Sequence, residues 1–556
     1  MFKTKRTPTA KKDTKASGNA FVKAGMKNSA VTKSGNGAFK YSTTGLLFVD
    51  QFGKLGSYKA VRSYEDVSRD MSELYALNRL MALRFILYMR IITRTIQLPD
   101  GNKTETVQRG AGLKNEPILR MLWLAINHPT DFMQLVPLFI TCGSWLDIIK
   151  MLQLDIVYNG WENRQLNWTF LGKVILAGLE NDGTTNLVKK YLPQIKANSQ
   201  CKTIEAEADN TVAKWICSLL YGAKQTSGSY KLYRKLKSSG NAHEWQKLIS
   251  QKKFLSINFN TVAGRALAQL VSGKFIENCG LKTVYTEWIE SQPIAKFTGY
   301  PHELFKDLGK KTRQYQIQTL NKQFDGLVET AKKGAKKDTS LIVVRDTSNS
   351  MSSNATGTTQ SCFEIGKALA LFFSAMLPEG HFADSWIEFN SDAQMHNWKG
   401  STPYEKWNND RSRYVGGTDF QSVIHLLVRI KRQGVPESEF PTGILCISDS
   451  EFNPASLGIT NVAQALATLK AGGFSDDYIA KFQIVLWNLQ NSFYGKGSGE
   501  KFETYGNTPN VYYFSGYDGS VVAFLTGMEE SKKAAPKNAE ELFEAAMDQE
   551  VLNLVN

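Results

Sequence analysis

Asp346, Ser348 and Ser350 follow an apolar run in the stretch LIVVRDTSNSMSS, which places three small oxygen donors at alternate positions on one strand-to-helix loop. Alternate spacing lets such donors converge on a single hard cation, since Mg²⁺ takes about six oxygens at ~2.0–2.1 Å and keeps some waters. Further along, GGTDF offers the Thr418 hydroxyl beside the Asp419 carboxylate, and ILCISDSEF offers Asp449 at the end of another apolar run. Hydrolysis fits these residues poorly. The position two after Asp346, where an aspartate-based phosphatase carries its second acid, holds Ser348, and no nucleophile stands beside a histidine base.

The remaining reactive side chains point away from other metal chemistry. The six cysteines, Cys142, Cys201, Cys217, Cys279, Cys362 and Cys446, are never closer than sixteen positions, and the six histidines form no HxxH or HExxH pair. Zinc and redox spacings are therefore missing, and scattered reduced thiols suit a cytosolic compartment.

Elements of two kinds must position the oxygen donors. From about residue 340 the sequence alternates short β-branched or aromatic runs (SLIVVRD, DSWIEFN, GILCISD, FQIVLWNLQ, NVYYFSG) with helical segments (SCFEIGKALALFFSAML, FQSVIHLLVRIKRQ, NVAQALATLKAG). That rhythm predicts a parallel sheet covered by helices on both faces, with ligands bound beyond the carboxyl ends of the strands. Before residue 335 the periodicity is helical. MSELYALNRLMALRFILYMRIITRTI predicts one long amphipathic helix with a partly basic surface from Arg79, Arg84, Arg90 and Arg94. NEPILRMLWLAINH, HPTDFMQLVPLFITCG, SWLDIIKMLQL, LNWTFLGKVILAGLEN, DNTVAKWICSLLYGAK, FNTVAGRALAQLVSGK and KTVYTEWIESQ predict further helices, stacked as a solenoid or ring without a strict period. The boundaries read as a flexible basic arm over 1–40, a helical-repeat domain over 41–335, a doubly wound α/β domain over 336–530 and a C-terminal helix over 531–556. The fold class is thus α plus α/β. No apolar run is long enough to span a bilayer, so no membrane partner is expected.

Charge divides along the same line. Of the +15 formal net charge, residues 1–45 carry +9 and 46–335 carry +14, while 336–530 carry −6 and the last 26 residues −2. A basic half joined to an acidic one suggests a polyanion partner for the first. The densest basic stretch interleaves Lys224, Lys231, Arg234, Lys235, Lys237, Lys252 and Lys253 with Tyr230, Tyr233 and Trp245. Two readings stand: cations on phosphates with rings stacked on the bases of single-stranded RNA, or a solvated helix–loop–helix whose aromatics face the core.

The Asp-x-Ser-x-Ser loop, the Thr in GGTDF and the Asp after a later strand together resemble the metal-ion-dependent adhesion site of von Willebrand factor A (vWA) domains. That resemblance implies a Rossmann-like vWA fold in which Asp346, Ser348, Ser350, Thr418 and Asp449 hold Mg²⁺ or Mn²⁺, Asp449 directly or through water. A partner's carboxylate would then complete the metal's shell. A helical half followed by such a domain also resembles the Ro/TROVE ribonucleoproteins, which implies binding of single-stranded or structured noncoding RNA. Closer in detail, NGAFKYSTTG, GLKNEPILRMLWLAINHP, DTSNSMSS, GGTDFQSVI, ISDSEF, VLWNLQ and YYFSGYDGSVVAFL resemble a family of unknown function found in plants, fungi and large phages, over roughly residues 36–528. Arg345, where an apolar residue usually precedes the first aspartate, and a lengthened loop at 354–360 depart from the pattern. The resulting expectation is a non-enzymatic, Ro-like RNA-binding protein with a divalent-metal-dependent ligand site. The alternative is a metal-dependent interaction scaffold, virion-associated if the gene is a phage's. The expected location is accordingly the cytoplasm, of a host in the phage case, or a virion.

Overall fold

The structure is a computed structural model of the 556-residue chain. It describes residues 44–59, 62–97, 105–180, 187–240, 243–306, 308, 312–332, 340–355, 358–377, 382, 384–449, 452–455, 459–490, 508–516 and 538–555, together with strands β1, Val31–Lys33, and β2, Phe39–Tyr41. The expected basic arm lies outside the described residues except for these two strands, which pair antiparallel.

The long helix expected from residue 71 onward is interrupted. Helix Tyr64–Leu77 starts on Ser63, whose hydroxyl accepts from the Asp66 amide at 3.1 Å, and stops at Asn78. The Asn78 side chain accepts from the Met81 amide at 3.0 Å and so starts a second helix, Arg79–Arg90. Asparagine competes for backbone donors in this way and favours a cap over a helix interior. The β-branched run after Arg90 becomes strand β3, Ile92–Gln97, antiparallel to β4, Glu105–Ala111. The expected basic surface shrinks accordingly. Arg90 is buried against Asp147 at 2.7 Å, and Arg79 meets Asp131 at 2.6 Å.

The other helical stretches appear near their expected places: Glu116–Asn127, Pro129–Cys142, Trp145–Asn159, Trp168–Glu180, Ile204–Tyr221, Gly264–Ser272 and Lys282–Ser291. Helix Gln314–Lys332 was not anticipated. Among its apolar residues Tyr315, Leu320, Phe324 and Val328 are buried.

The second half holds a six-stranded sheet of β5, Leu341–Asp346; β6, Ser385–Phe389; β7, Ala393–Asn397; β8, Gly443–Ser448; β9, Gln483–Asn488; and β10, Val511–Ser515. The order is β10-β9-β8-β5-β6-β7, with every pairing parallel except β6 with β7. Alternation along the strands sorts residues to two buried faces. Val343, Leu445, Val485 and Trp487 share a core with helix Cys362–Met376, whereas Ile342, Val344, Ile444, Cys446 and Leu486 share one with helices Phe420–Arg432 and Asn461–Ala471. β7, with its exposed Gln394 and Met395 and half-buried His396, carries no continuous apolar run and escaped the sequence reading.

The first of those cores is continuous with the helical half. Phe305 stacks on Trp407 at 4.3 Å, and Phe324 meets Phe372 at 6.2 Å. The expected C-terminal helix is two pieces, Ala539–Met547 and Glu550–Asn553. At the break, the Gln549 side chain accepts from the Arg109 amide at 2.7 Å and donates to the Arg109 carbonyl at 2.9 Å, as a neighbouring strand would. Phe543 packs among Phe48, Phe52 and Phe85. At the sheet's far edge, a Cβ on Gly56 would fall 1.6 Å from the Ser515 carbonyl oxygen, so only glycine lets this joint close.

Candidate metal centre

The chain runs from β5 outward through β6 and β7, then returns to place β8 on the other side of β5. Beyond the carboxyl ends of β5 and β8 the connections part in opposite directions, which opens the crevice where open α/β sheets bind ligands. Asp346 ends β5 and Asp449 directly follows β8, so both acids stand at this crevice.

Asp346 is fully buried and Asp449 is 2% exposed. One Asp346 oxygen accepts from the Ser348 amide at 2.8 Å and the other from the Ser448 hydroxyl. The Ser348 and Ser350 hydroxyls lie 3.0 Å apart, with Ser348 buried and Ser350 half-buried. Burial, and then the negative charge of Asp449, push the Asp346 carboxyl up to about 7, while the serine hydrogen bonds pull it down in part. Burial, and then the charges of Asp449 and Asp346, push the Cys362 thiol up.

Thr418 arrives on a loop tied down on both sides. Its carbonyl accepts from the Asn453 amide at 2.8 Å, the Asn349 amide donates to Gly416 at 3.4 Å, and the Val415 amide donates to Thr347 at 2.8 Å. Gly416 has φ +75°, and Ser391 sits where its Cβ would go while accepting from the Gly417 amide at 2.9 Å. All three ligand-bearing loops therefore meet at one edge. Among the described residues no hydrogen bond joins the Thr418 hydroxyl to the other four candidates. Asp419, its neighbour, is instead a helix cap that accepts from the Gln421 amide at 3.0 Å.

Two buried carboxylates close enough to act on one another repel unless a proton or a cation offsets one charge. Here the additional donors are all hydroxyls, a set suited to a hard divalent ion and not to zinc. Among the described residues no group of three or more His, Cys, Asp or Glu side chains is placed to hold a metal, so any ion here depends on the serines and the threonine. The residues fit Mg²⁺ or Mn²⁺ on these grounds.

Arg345, the charge that stands just before the first aspartate, has its counterpart in Asp410. The guanidinium is fully buried, 2.8 Å from Asp410, and lies over the rings of Phe363 at 4.3 Å and Trp386 at 5.3 Å. Lys367 shares the same carboxylate at 3.3 Å. Burial pushes both cations down, yet a guanidinium starts so high that it keeps its proton. Despite burial, the two cations hold the Asp410 carboxyl well below its usual range, helped by Ser412. A charge inside an apolar strand does announce a buried partner, but nothing in the sequence says which acid supplies it.

In the basic stretch, Lys224, Lys231, Arg234, Lys235, Lys252 and Lys253 are exposed. Lys237 is half-buried and donates to the Leu192 carbonyl. The rings do not line a stacking surface: Tyr233 is fully buried with its hydroxyl on the Pro193 carbonyl at 2.9 Å, Trp245 is buried, and half-buried Tyr230 bonds Gln225 at 2.7 Å. The stretch thus forms two helices, Ser227–Ser239 and Glu244–Ser250, that bury Tyr233 and Trp245.

The half so described is an α/β domain with a mostly parallel sheet and a carboxylate–hydroxyl cluster at its ligand-binding edge. Over residues 340–553 the chain is similar to a domain of unknown function, DUF7788, a match that runs on through the two C-terminal helices. No curated protein matches the chain. Among the described residues no helix is long and apolar enough to cross a membrane.

Proposed function

We propose that the second half is a vWA-like binding module in which Asp346, Ser348, Ser350, Thr418 and Asp449 hold one Mg²⁺ or Mn²⁺ and a partner protein supplies a carboxylate to it. The observation that carries this reading is the buried Asp346–Asp449 pair at the crevice, surrounded by hydroxyls and bounded by tied-down loops. A bound divalent ion would offer an open position to an anionic oxygen. The protein's own part is to hold its oxygens in place and to exclude bulk water from Asp346. Ser348 stands where an aspartate-based phosphatase carries its second acid, so the reading is one of binding, not catalysis. Pull-down on the immobilised full chain is expected to retain a partner in Mg²⁺ and release it in EDTA; retention unaffected by EDTA would overturn the reading.

The helical half is proposed to bind RNA through phosphate contacts alone, because six of the seven candidate cations are exposed while the aromatic rings are inward. Each phosphate contact on a single strand contributes about −0.7 to the slope of log K against log salt. Replacing Lys224, Lys231, Arg234, Lys235, Lys252 and Lys253 together by alanine is expected to flatten that slope by as much as ~4 for a single-stranded RNA. An unchanged slope would remove the assignment.

A further inference from the structure

Between the two halves lies a cavity of about 500 Å³, within the range of small-molecule sites and at the kind of junction where such sites form. Helices Gly264–Ser272, Pro301–Phe305 and Gln314–Lys332 wall it on one side. On the other stand Thr358 and Gln360, from the lengthened loop that follows the serines of the metal centre.

The lining is polar in a particular way. Gln323, 1% exposed, donates its amide nitrogen to the carbonyls of Gly264 at 3.0 Å and Lys296 at 3.3 Å. Gln360, 7% exposed, donates its own to the His302 carbonyl at 3.3 Å. Only an NH₂ can face a backbone carbonyl, so these contacts fix which way each amide points. Gln316 is used up on both sides: its nitrogen meets Val271 and its oxygen accepts from Arg313. The side-chain carbonyl oxygens of Gln323 and Gln360, by contrast, accept no hydrogen bond among the described residues, and both side chains line the cavity. Two buried acceptors held rigidly by their own amide nitrogens call for a ligand that donates. Phe297 supplies an aromatic wall, and exposed Lys306 lines the same cavity.

We propose that this cavity binds a planar heterocycle with two N–H donors, of the guanine nucleoside class, held between the halves by the Gln323 and Gln360 carbonyl oxygens and the Phe297 ring. The inference is independent of the metal. A free nucleoside and a nucleotide share this chemistry, and a nucleotide would place its phosphate toward Lys306.

Calorimetric titration of the full chain with guanosine, adenosine, GMP and inorganic phosphate tests it. Guanosine presents two donors on one edge where adenosine presents one, so guanosine is expected to bind at least about tenfold more tightly. Gln360→Met, checked for folding by circular dichroism, is expected to weaken guanosine by about tenfold, the worth of one buried hydrogen bond. GMP tighter than guanosine would support the nucleotide form. The proposal is overturned by adenosine binding as tightly as guanosine, by phosphate alone matching GMP, by no saturation at millimolar guanosine, or by full binding in a folded Gln360→Met chain.

Discussion

Titrated with Mg²⁺, the Asp346→Asn chain is expected to bind at least about 100-fold more weakly than the native one, because even the outer partners of metal ligands are worth ~10–100-fold. Asparagine keeps the shape of the site. Its oxygen can still accept from the Ser348 amide and its nitrogen can donate to the Ser448 hydroxyl, the two contacts Asp346 makes now. What it removes is one of the two buried negative charges, and with it the repulsion from Asp449 that helps push the Asp346 carboxyl up. The variant without metal is therefore expected to melt no lower than the native chain without metal, while Mg²⁺ raises the melting temperature of the native chain only. Equal Mg²⁺ affinity in the two chains would refute the site. So would a metal-independent loss of folding in Asp346→Asn, which would make the carboxylate a structural anchor.

The oxygen donors of this site were legible because loop-borne Asp, Ser and Thr after apolar runs need only local sequence to be noticed. Their convergence follows from topology, since β5 and β8 are neighbours in the sheet although about a hundred residues separate them. Strands with both faces buried announce themselves by composition, as β5, β8 and β9 do, whereas edge strand β7 owes its place to pairing with β6 and shows no such signal. The break at Asn78 was hidden for a related reason. Apolar periodicity continues across it, and only the asparagine side chain's preference for a cap separates the two helices. In the basic stretch, cations and aromatics alternate in sequence but part company in space. A helix turns Tyr233 inward while Lys231, Arg234 and Lys235 remain outside, so their adjacency along the chain says nothing about a common surface. The C-terminal segment shows the limit most plainly. Its packing of Phe543 on Phe48, Phe52 and Phe85 joins the two ends of the chain, and no local pattern encodes a contact of that span.

Asp410→Asn tests the charge that the sequence left unmatched. In the native chain one buried carboxylate serves both Arg345 and Lys367, and removing it strands a fully buried guanidinium inside the sheet. Breaking such a pair from one side costs about 3–5 kcal/mol, so a large fall in the urea midpoint is expected at neutral pH. The pH dependence has a definite sign. Asp410 has a depressed carboxyl in the folded chain, so its stabilisation is complete above the ordinary carboxylate range of about 4 and is lost as pH falls below it. The gap between native and Asp410→Asn chains should therefore stay constant from pH 8 to 5 and narrow below about pH 4; a gap that widened on acidification would contradict the pairing. The same residue anchors the segment that leads through Val415 and Gly416 to Thr418. Asp410→Asn is thus expected to weaken Mg²⁺ as well, by about tenfold, through the position of a ligand it does not touch. Replacing both partners, Arg345→Met with Asp410→Leu, separates the two effects. Buried ion pairs exchanged for apolar residues are often neutral or stabilising, so the double variant should recover most of the lost urea midpoint. It also lacks the Ser412 hydrogen bonds that Asp410 accepts, which leaves the Thr418 segment without its anchor, so Mg²⁺ affinity should stay low. Recovery of both together would mean that the charged pair only fills space, and recovery of neither would mean that Lys367 cannot be left without its carboxylate.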